Sequence, residues 1–268
     1  MHVTSIAIYP IKATAAIDLQ QAEVRSRGLA GDRRWMVVDE GGQFLHQRIR
    51  AKLALVKTTL ADGDELLLDA PGMSQLHVDR PDGSQRLDVG VWSDTVGAAD
   101  AGAEAAAWFS QFVGAPCHLV FMDAAATRPV APEDGQAGDV VSFADAMPLL
   151  LASEASLADL NVRMENPLPM NRFRPNVVID GDEPWIEESW KRLRIGDVDF
   201  EVTHPCLRCV VTTIDQQTGQ KSGDSEPLRT LTSFRQTEDG VCFGVNLVPR
   251  SRSMVSVGDP VTVLSPAD

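Results

Sequence analysis

Positive charge is what this 268-residue chain lacks most: 24 Lys and Arg stand against 38 Asp and Glu, a formal net charge of −14. Nucleic-acid backbones select a basic surface, so no nucleic acid is expected as a partner. Long apolar runs are missing too. The longest, such as residues 148–152, fall far short of a bilayer's thickness, and no membrane span is expected. The first residues (MHVTSIAIYPIKA) place no basic region ahead of the apolar ones and no small-residue cleavage site, so no signal peptide is read. Cysteine is scarce: four in the whole chain, with Cys117 and Cys242 alone and Cys206 and Cys209 the one close pair. That is no disulfide framework, and it points to a reduced, cytoplasmic protein. G-x-G-x-x-G, P-loop, H-E-x-x-H and G-x-S-x-G motifs are absent. The usual signatures of Rossmann-type nicotinamide binding, P-loop nucleotide binding, zincin chemistry and α/β-hydrolase chemistry go with them. Pyridoxal phosphate is not expected.

What is present reads as a folded protein, 44% hydrophobic and 23% charged, long enough for two domains with cores of their own. Apolar–polar alternation predicts strands over 3–11, 19–24, 35–38, 44–48, 53–60, 65–69, 75–78 and 86–89. Turns are expected at Glu40-Gly41-Gly42, Asp62-Gly63 and Asp82-Gly83. Many short strands with Gly and Asp turns indicate an antiparallel barrel or sandwich rather than a βαβ array. Residues 100–112 (DAGAEAAAWFSQF) predict a helix ending near Gly114, and 117–122 another strand. The Ala-, Pro-, Gly- and Asp-rich stretch 123–139 reads as a linker or flexible loop. A short buried strand over 147–152 then runs into a helix over 153–161, with Ser153 as N-cap and Glu154 complementing the dipole. Strands return at 176–179, 193–195, 198–202, 210–214, 242–247 and 261–264. The expected class is mainly β (α+β), divided into domains over 1–120 and 121–268, with the boundary somewhere in 95–140.

The sharpest local feature is His204-Pro205-Cys206-Leu207-Arg208-Cys209. A redox C-x-x-C sits at a helix N-terminus, where the dipole lowers the thiol pKa. Here the β-branched run Val210-Val211-Thr212-Thr213-Ile214 predicts a strand, which weakens that reading. A structural zinc site needs four ligands, and His204 as a third finds no matching pair elsewhere. Two readings stay open. The cysteines are small buried residues beginning a core strand, or Cys209 is a single thiolate ligand to a softer metal, with Arg208 favouring the anion. Arginines at predicted strand ends are the second feature: Arg33, Arg34, Arg48, Arg172, Arg174 and Arg208, with Lys12 after the first strand. Each either pairs with a neighbouring carboxylate, as Asp32 beside Arg33 allows, or meets an anionic ligand that the planar guanidinium fork suits. Ser153 and Ser156, at a helix N-terminus, would complement such a group.

Several segments together carry a resemblance. They are Tyr9-Pro10-Ile11-Lys12, Gly28-Leu29 with Asp32-Arg33, Trp35-Met36-Val37-Val38, Gln47-Arg48, PLLLASEASLADLN over 148–161 and RFRPN over 172–176. PCLRCVVTTID over 205–215, Glu226-Pro227-Leu228 and Gly258-Asp259-Pro260 complete the series. In this order and spacing the chain resembles the MOSC proteins, named after the molybdenum cofactor sulfurase C-terminal domain. The form it is similar to is that of the amidoxime-reducing component, with an N-terminal MOSC-type β-barrel ahead of the MOSC β-barrel and a few helices. The resemblance implies a molybdenum cofactor, in which a molybdopterin dithiolene holds the metal and Cys209, the second Cys of the motif, is its protein ligand. It further implies a cofactor cradle of Lys12, Arg33, Ser153, Ser156, Arg174, Arg208 and Thr212. Ala13 departs from the Ser usual after the early Lys, so one contact is expected to be missing. Glu183 matches an acidic position near the metal and is the candidate catalytic acid. The implied activity is reduction of small N-hydroxylated compounds by oxygen-atom abstraction; the alternative is a non-catalytic carrier of cofactor or sulfur. No Cys follows Cys242, so no iron–sulfur domain is expected, and electrons are expected from a separate redox protein.

Overall fold

Alternation at the start of the chain becomes β1 (Val3–Ile8), which buries Val3, Ile6 and Ile8. The computed structural model describes residues 1–61 and 64–267, so the turn expected at Asp62-Gly63 lies outside the described residues. The order continues with β2 (Ile17–Leu19), β3 (Gln21–Arg25), β4 (Gly28–Leu29), β5 (Trp35–Asp39), β6 (Lys57–Leu60), β7 (Leu66–Asp69) and β8 (Leu76–Val78). A hairpin of β9 (Arg86–Val91) and β10 (Asp94–Asp100) follows. Helix α1 (Ala103–Val113) stops where Gly114 turns left-handed at φ 78°. Next come β11 (Cys117–Phe121), β12 (Leu149–Ser153) and α2 (Glu154–Val162), whose cap is Ser153: its hydroxyl accepts the Ala155 N–H. The remainder is β13 (Val177–Ile179), β14 (Trp190–Ile195), β15 (Val198–Leu207), a short α3 (Leu228–Thr232), β16 (Cys242–Pro249), β17 (Met254–Ser256) and β18 (Val261–Pro266). The protein is mainly β, with three α-helices among the described residues.

Eight strands share one sheet in the order β18-β14-β15-β16-β12-β13-β1-β2. His2, just ahead of β1, bridges Pro260, just ahead of β18. There Val3 N–H donates to the Asp259 carbonyl and Val261 N–H to that of Met1. The start of the chain thus meets the sheet's far edge, and the sheet curls into a barrel around Ile6, Ile8, Leu151, Val177, Phe200, Val245 and Leu247. β1 and β2 belong to this sheet, so a division near residue 120 leaves them on one side and the six strands they join on the other. A second core gathers Trp35, Leu66, Leu68 and Phe121 from the β5-β11-β10-β9 and β6-β7-β8 sheets, with Leu53 from the connection ahead of β6, under Phe109 of α1.

Three expected strands form differently. Residues 44–48 make only an isolated bridge, Val38 with Phe44. Residues 51–55 are a 3-10 turn, and a strand begins only at Lys57. Residues 210–213 are also a 3-10 turn: the Thr212 and Thr213 hydroxyls bond the carbonyls of Cys209 and Val210, and this local bonding overrides the β-branched preference.

Candidate functional site

A cavity of about 910 Å³ opens where loops of the N-terminal strands meet the end of β15. It gathers Lys12, Arg33, Arg174, Arg208, Cys209 and Thr212, six of the expected site residues. Arg33 and Arg174 hold left-handed backbone conformations, φ 46° and 55°. Their guanidinium carbons lie 4.2 and 4.1 Å from the ring centroid of buried Tyr9. Arg33 is paired: its Nη1 is 2.5 Å from Asp32 Oδ2 and donates to Asn176 Oδ1 at 2.9 Å. Arg174 donates to Gln216 Oε1 at 3.0 Å and has no carboxylate partner among the described residues. Burial, reinforced by the like charge of Arg33, pushes its pKa down to about 10. A partly buried guanidinium with no carboxylate partner gains from an incoming anion.

Lys12 is nearly buried, and its Nζ donates to the Phe143 carbonyl at 2.8 Å and to Asp145 Oδ1 at 2.5 Å. Burial lowers its pKa, against the pull of Asp145. The Asp145 side chain is largely exposed, and the Lys12 ammonium against it holds that carboxyl well below the usual range.

Cys209 is a free, partly buried thiol whose extended backbone leads into the 3-10 turn. The Thr212 N–H and hydroxyl both bond its carbonyl, at 3.0 and 2.9 Å. Among the described residues its sulfur has no hydrogen-bond partner. Cys206 differs: it accepts from Arg208 Nη1 at 2.9 Å, so Arg208 addresses the first thiol and not Cys209 as expected. Arg208 Nη2 holds the Phe173 carbonyl at 2.6 Å, and its Nε is buried without a partner.

Three expected residues stand outside the cavity. Ser153 is fully buried as the α2 cap. The Ser156 hydroxyl donates to the Glu187 carboxyl (2.8 and 2.9 Å to its two oxygens) and accepts the Trp185 N–H at 2.8 Å. Burial in turn pushes the Glu187 pKa up. Glu183 is exposed in the loop after β13, away from the cavity wall. The carboxylates that do line the cavity are Glu133, Asp134, Asp145 and Asp239.

Other functional candidates were unread in the sequence. Asn176 Oδ1 accepts from both Arg33 and the Leu150 N–H, and its Nδ2 donates to the Ala7 carbonyl, tying β12 and β1 to the arginine. Gln47 donates to the Ala13 carbonyl at 2.7 Å and to Gln216 Oε1 at 3.0 Å. Both lie in segments quoted for the resemblance, which was the only signal for them.

Fold and site define a mainly β protein whose cationic cavity carries one unbonded thiol. The chain belongs to the MOSC family: the domain described as MOSC N-terminal beta barrel domain matches residues 1–116, and the MOSC domain matches 138–262. Similar proteins include mitochondrial amidoxime reducing component 2 of Rattus norvegicus, 33% identical over 97% of this chain and 82% of its own. Mitochondrial amidoxime-reducing component 1 of Homo sapiens is 34% identical over 98% and 82%. Molybdenum cofactor sulfurase of Oryza sativa subsp. japonica is 30% identical over 92% of this chain but only 32% of its own length.

Proposed function

We propose that the protein is a molybdenum-cofactor-dependent reductase of small N-hydroxylated compounds, supplied with electrons by a separate redox protein. One observation carries the reading: an unbonded Cys209 thiol and an Arg174 guanidinium without a carboxylate share one cavity. The donor set fits the cofactor. A soft thiolate suits molybdenum and, as a single protein ligand, leaves other coordination positions open. Arg174 answers an anionic pterin group, with Lys12, Arg33 and Arg208 beside it on the cavity wall.

When bound, the cofactor supplies two-electron redox chemistry at the N–O bond. The chain's own residues bind and orient. Cys209 would ligate the metal, and Thr212 fixes the turn that presents it. Asp32 and Asn176 hold the Arg33 fork in place, while Asp145 holds Lys12. Ser153, Ser156 and Glu183 drop out of the proposed machinery because they do not reach the cavity. In the net reaction the N–O bond breaks; two electrons from the donor and two protons from water in the open cavity yield the reduced nitrogen compound and water. Cytoplasmic residence, read from the unpaired cysteines, is part of the proposal. The two amidoxime-reducing relatives are named as mitochondrial, and no described helix is long and apolar enough to cross a membrane.

Elemental analysis and a dye-driven reduction assay test the proposal. Stoichiometric molybdenum with turnover of an N-hydroxylated compound is expected. Molybdenum without turnover would favour the carrier reading, which the likeness to the rice sulfurase keeps as the second choice. Absence of both would contradict each.

A further inference from the structure

Four non-glycine residues of the cavity wall hold left-handed backbone conformations: Ala13, Arg33, Trp92 and Arg174. The two arginines belong to the proposed cofactor cradle. Trp92 has no part in it. It sits at the turn between β9 and β10 with φ 56°, and 45% of it remains exposed at the cavity. A bulky residue at positive φ is strained and persists only where its surroundings fix it, a combination that concentrates at ligand sites.

The surroundings of Trp92 do fix it. Its Nε1 donates to Asp145 Oδ1 at 3.2 Å, Phe44 meets it edge-on at 5.0 Å, and the Arg48 guanidinium lies 4.9 Å from its ring centroid. Phe44 packs in turn against His46 at 5.1 Å. Burial, then the charges of Arg48 and Lys12, lower the His46 pKa, so its imidazole is neutral near pH 7. His46 Nδ1 is buried without a partner among the described residues. All three rings line the cavity, and all come from the N-terminal part of the chain.

We propose that Phe44, His46 and Trp92 form a ring-binding subsite that takes the flat aromatic or heteroaromatic part of an N-hydroxylated base, so that the N-terminal strands set substrate choice. Rigid aromatic walls are what such a ring needs: large contact area at small entropy cost. The subsite belongs to the substrate and not to the cofactor. The anionic group is drawn to the recessed Arg33–Arg174 pair, whereas Trp92 stands exposed where a molecule entering from solvent meets it. The inference rests on the reductase reading only for the N-hydroxyl group; ring recognition stands apart from it.

The test uses molybdenum-loaded protein and two cations that differ in having a ring, benzamidine and acetamidine. Binding of each to wild type, Trp92→Ala, Trp92→Phe and Phe44→Ala is measured by saturation-transfer NMR titration, with molybdenum content and thermal melting recorded for every preparation. Wild type should prefer benzamidine. Each Ala variant should lose about tenfold of that preference, one aromatic contact's worth, with Trp92→Phe keeping most of it. The ratio of kcat/KM for benzamidoxime over acetamidoxime, with a reduced viologen as donor, should fall by the same factor. An unchanged preference in both Ala variants overturns the proposal. So does loss of molybdenum in folded Trp92→Ala, which would give the rings to the cofactor. If wild type reduces neither oxime and the benzamidine preference still falls in the Ala variants, the reductase reading fails and the ring subsite stands.

Discussion

On the N-terminal wall of the cavity, Lys12 and Arg33 are each closed by a partner within the fold: Lys12 by Asp145 and the Phe143 carbonyl, Arg33 by Asp32 and Asn176. On the C-terminal wall, groups are left open among the described residues: Arg174 without a carboxylate, Arg208 with a bare Nε, Cys209 with an unbonded sulfur. Closed groups are held by the folded chain whether or not a ligand is present. Open, partly buried groups carry a desolvation penalty that a ligand relieves, so the two walls should respond differently to substitution.

The largest effect should come from the open wall. Cys209→Ala is expected to abolish reductase turnover and alter the molybdenum absorption spectrum, whereas Cys206→Ala, whose thiol is bonded to Arg208, retains measurable turnover. Arg174→Ala comes next. It should weaken cofactor retention through gel filtration by about 1.5–3 kcal/mol, the worth of one charge-assisted contact, and leave the melting temperature of cofactor-free protein almost unchanged. On the closed wall the pattern should invert. Asp32→Ala, which takes the counter-charge from a mostly buried Arg33 guanidinium, should lower folding stability by about 3 kcal/mol in denaturant unfolding. If Arg174→Ala and Asp32→Ala lowered stability equally, the distinction between the walls would be lost.

Away from both walls, Glu187 sharpens the comparison. Burial raises its folded pKa above the unfolded value, so the native state holds a proton that the unfolded chain releases. Its contribution is therefore full below the ordinary Glu range and is lost as pH rises through the raised folded value. Glu187→Gln should flatten the fall in stability on that alkaline side, seen by urea unfolding over a pH series. The smallest effect concerns electron delivery. With a net charge of −14, turnover driven by a basic protein donor should slow as salt rises, since exposed charges are screened beyond about 8 Å at physiological ionic strength. Turnover with a small neutral dye should change much less.

Local signals were legible where local physics decides. Gly114 ends α1, and Ser153 caps α2, as the residue types announce. β10 was not read, because Gly97-Ala98-Ala99 has weak strand preference and depends on pairing with β9. Barrel closure through His2 and Pro260 was not readable either, since the partners lie at opposite ends of the chain. In the site, motif order pointed to Cys209 and the arginines. It did not reveal which way a side chain faces. Ser156 lies on α2 in a segment quoted for the resemblance, yet it turns to Glu187 and away from the cavity. Trp92 and His46 belong to no motif, and only the folded N-terminal loops bring them beside Lys12.

X-ray absorption at the molybdenum edge, on wild type, Cys209→Ala and Cys206→Ala loaded in the same host, tests the central claim most directly. The account predicts one sulfur ligand fewer in Cys209→Ala and an unchanged count in Cys206→Ala. Equal sulfur counts in wild type and Cys209→Ala, or a ligand lost on replacing Cys206, would contradict it.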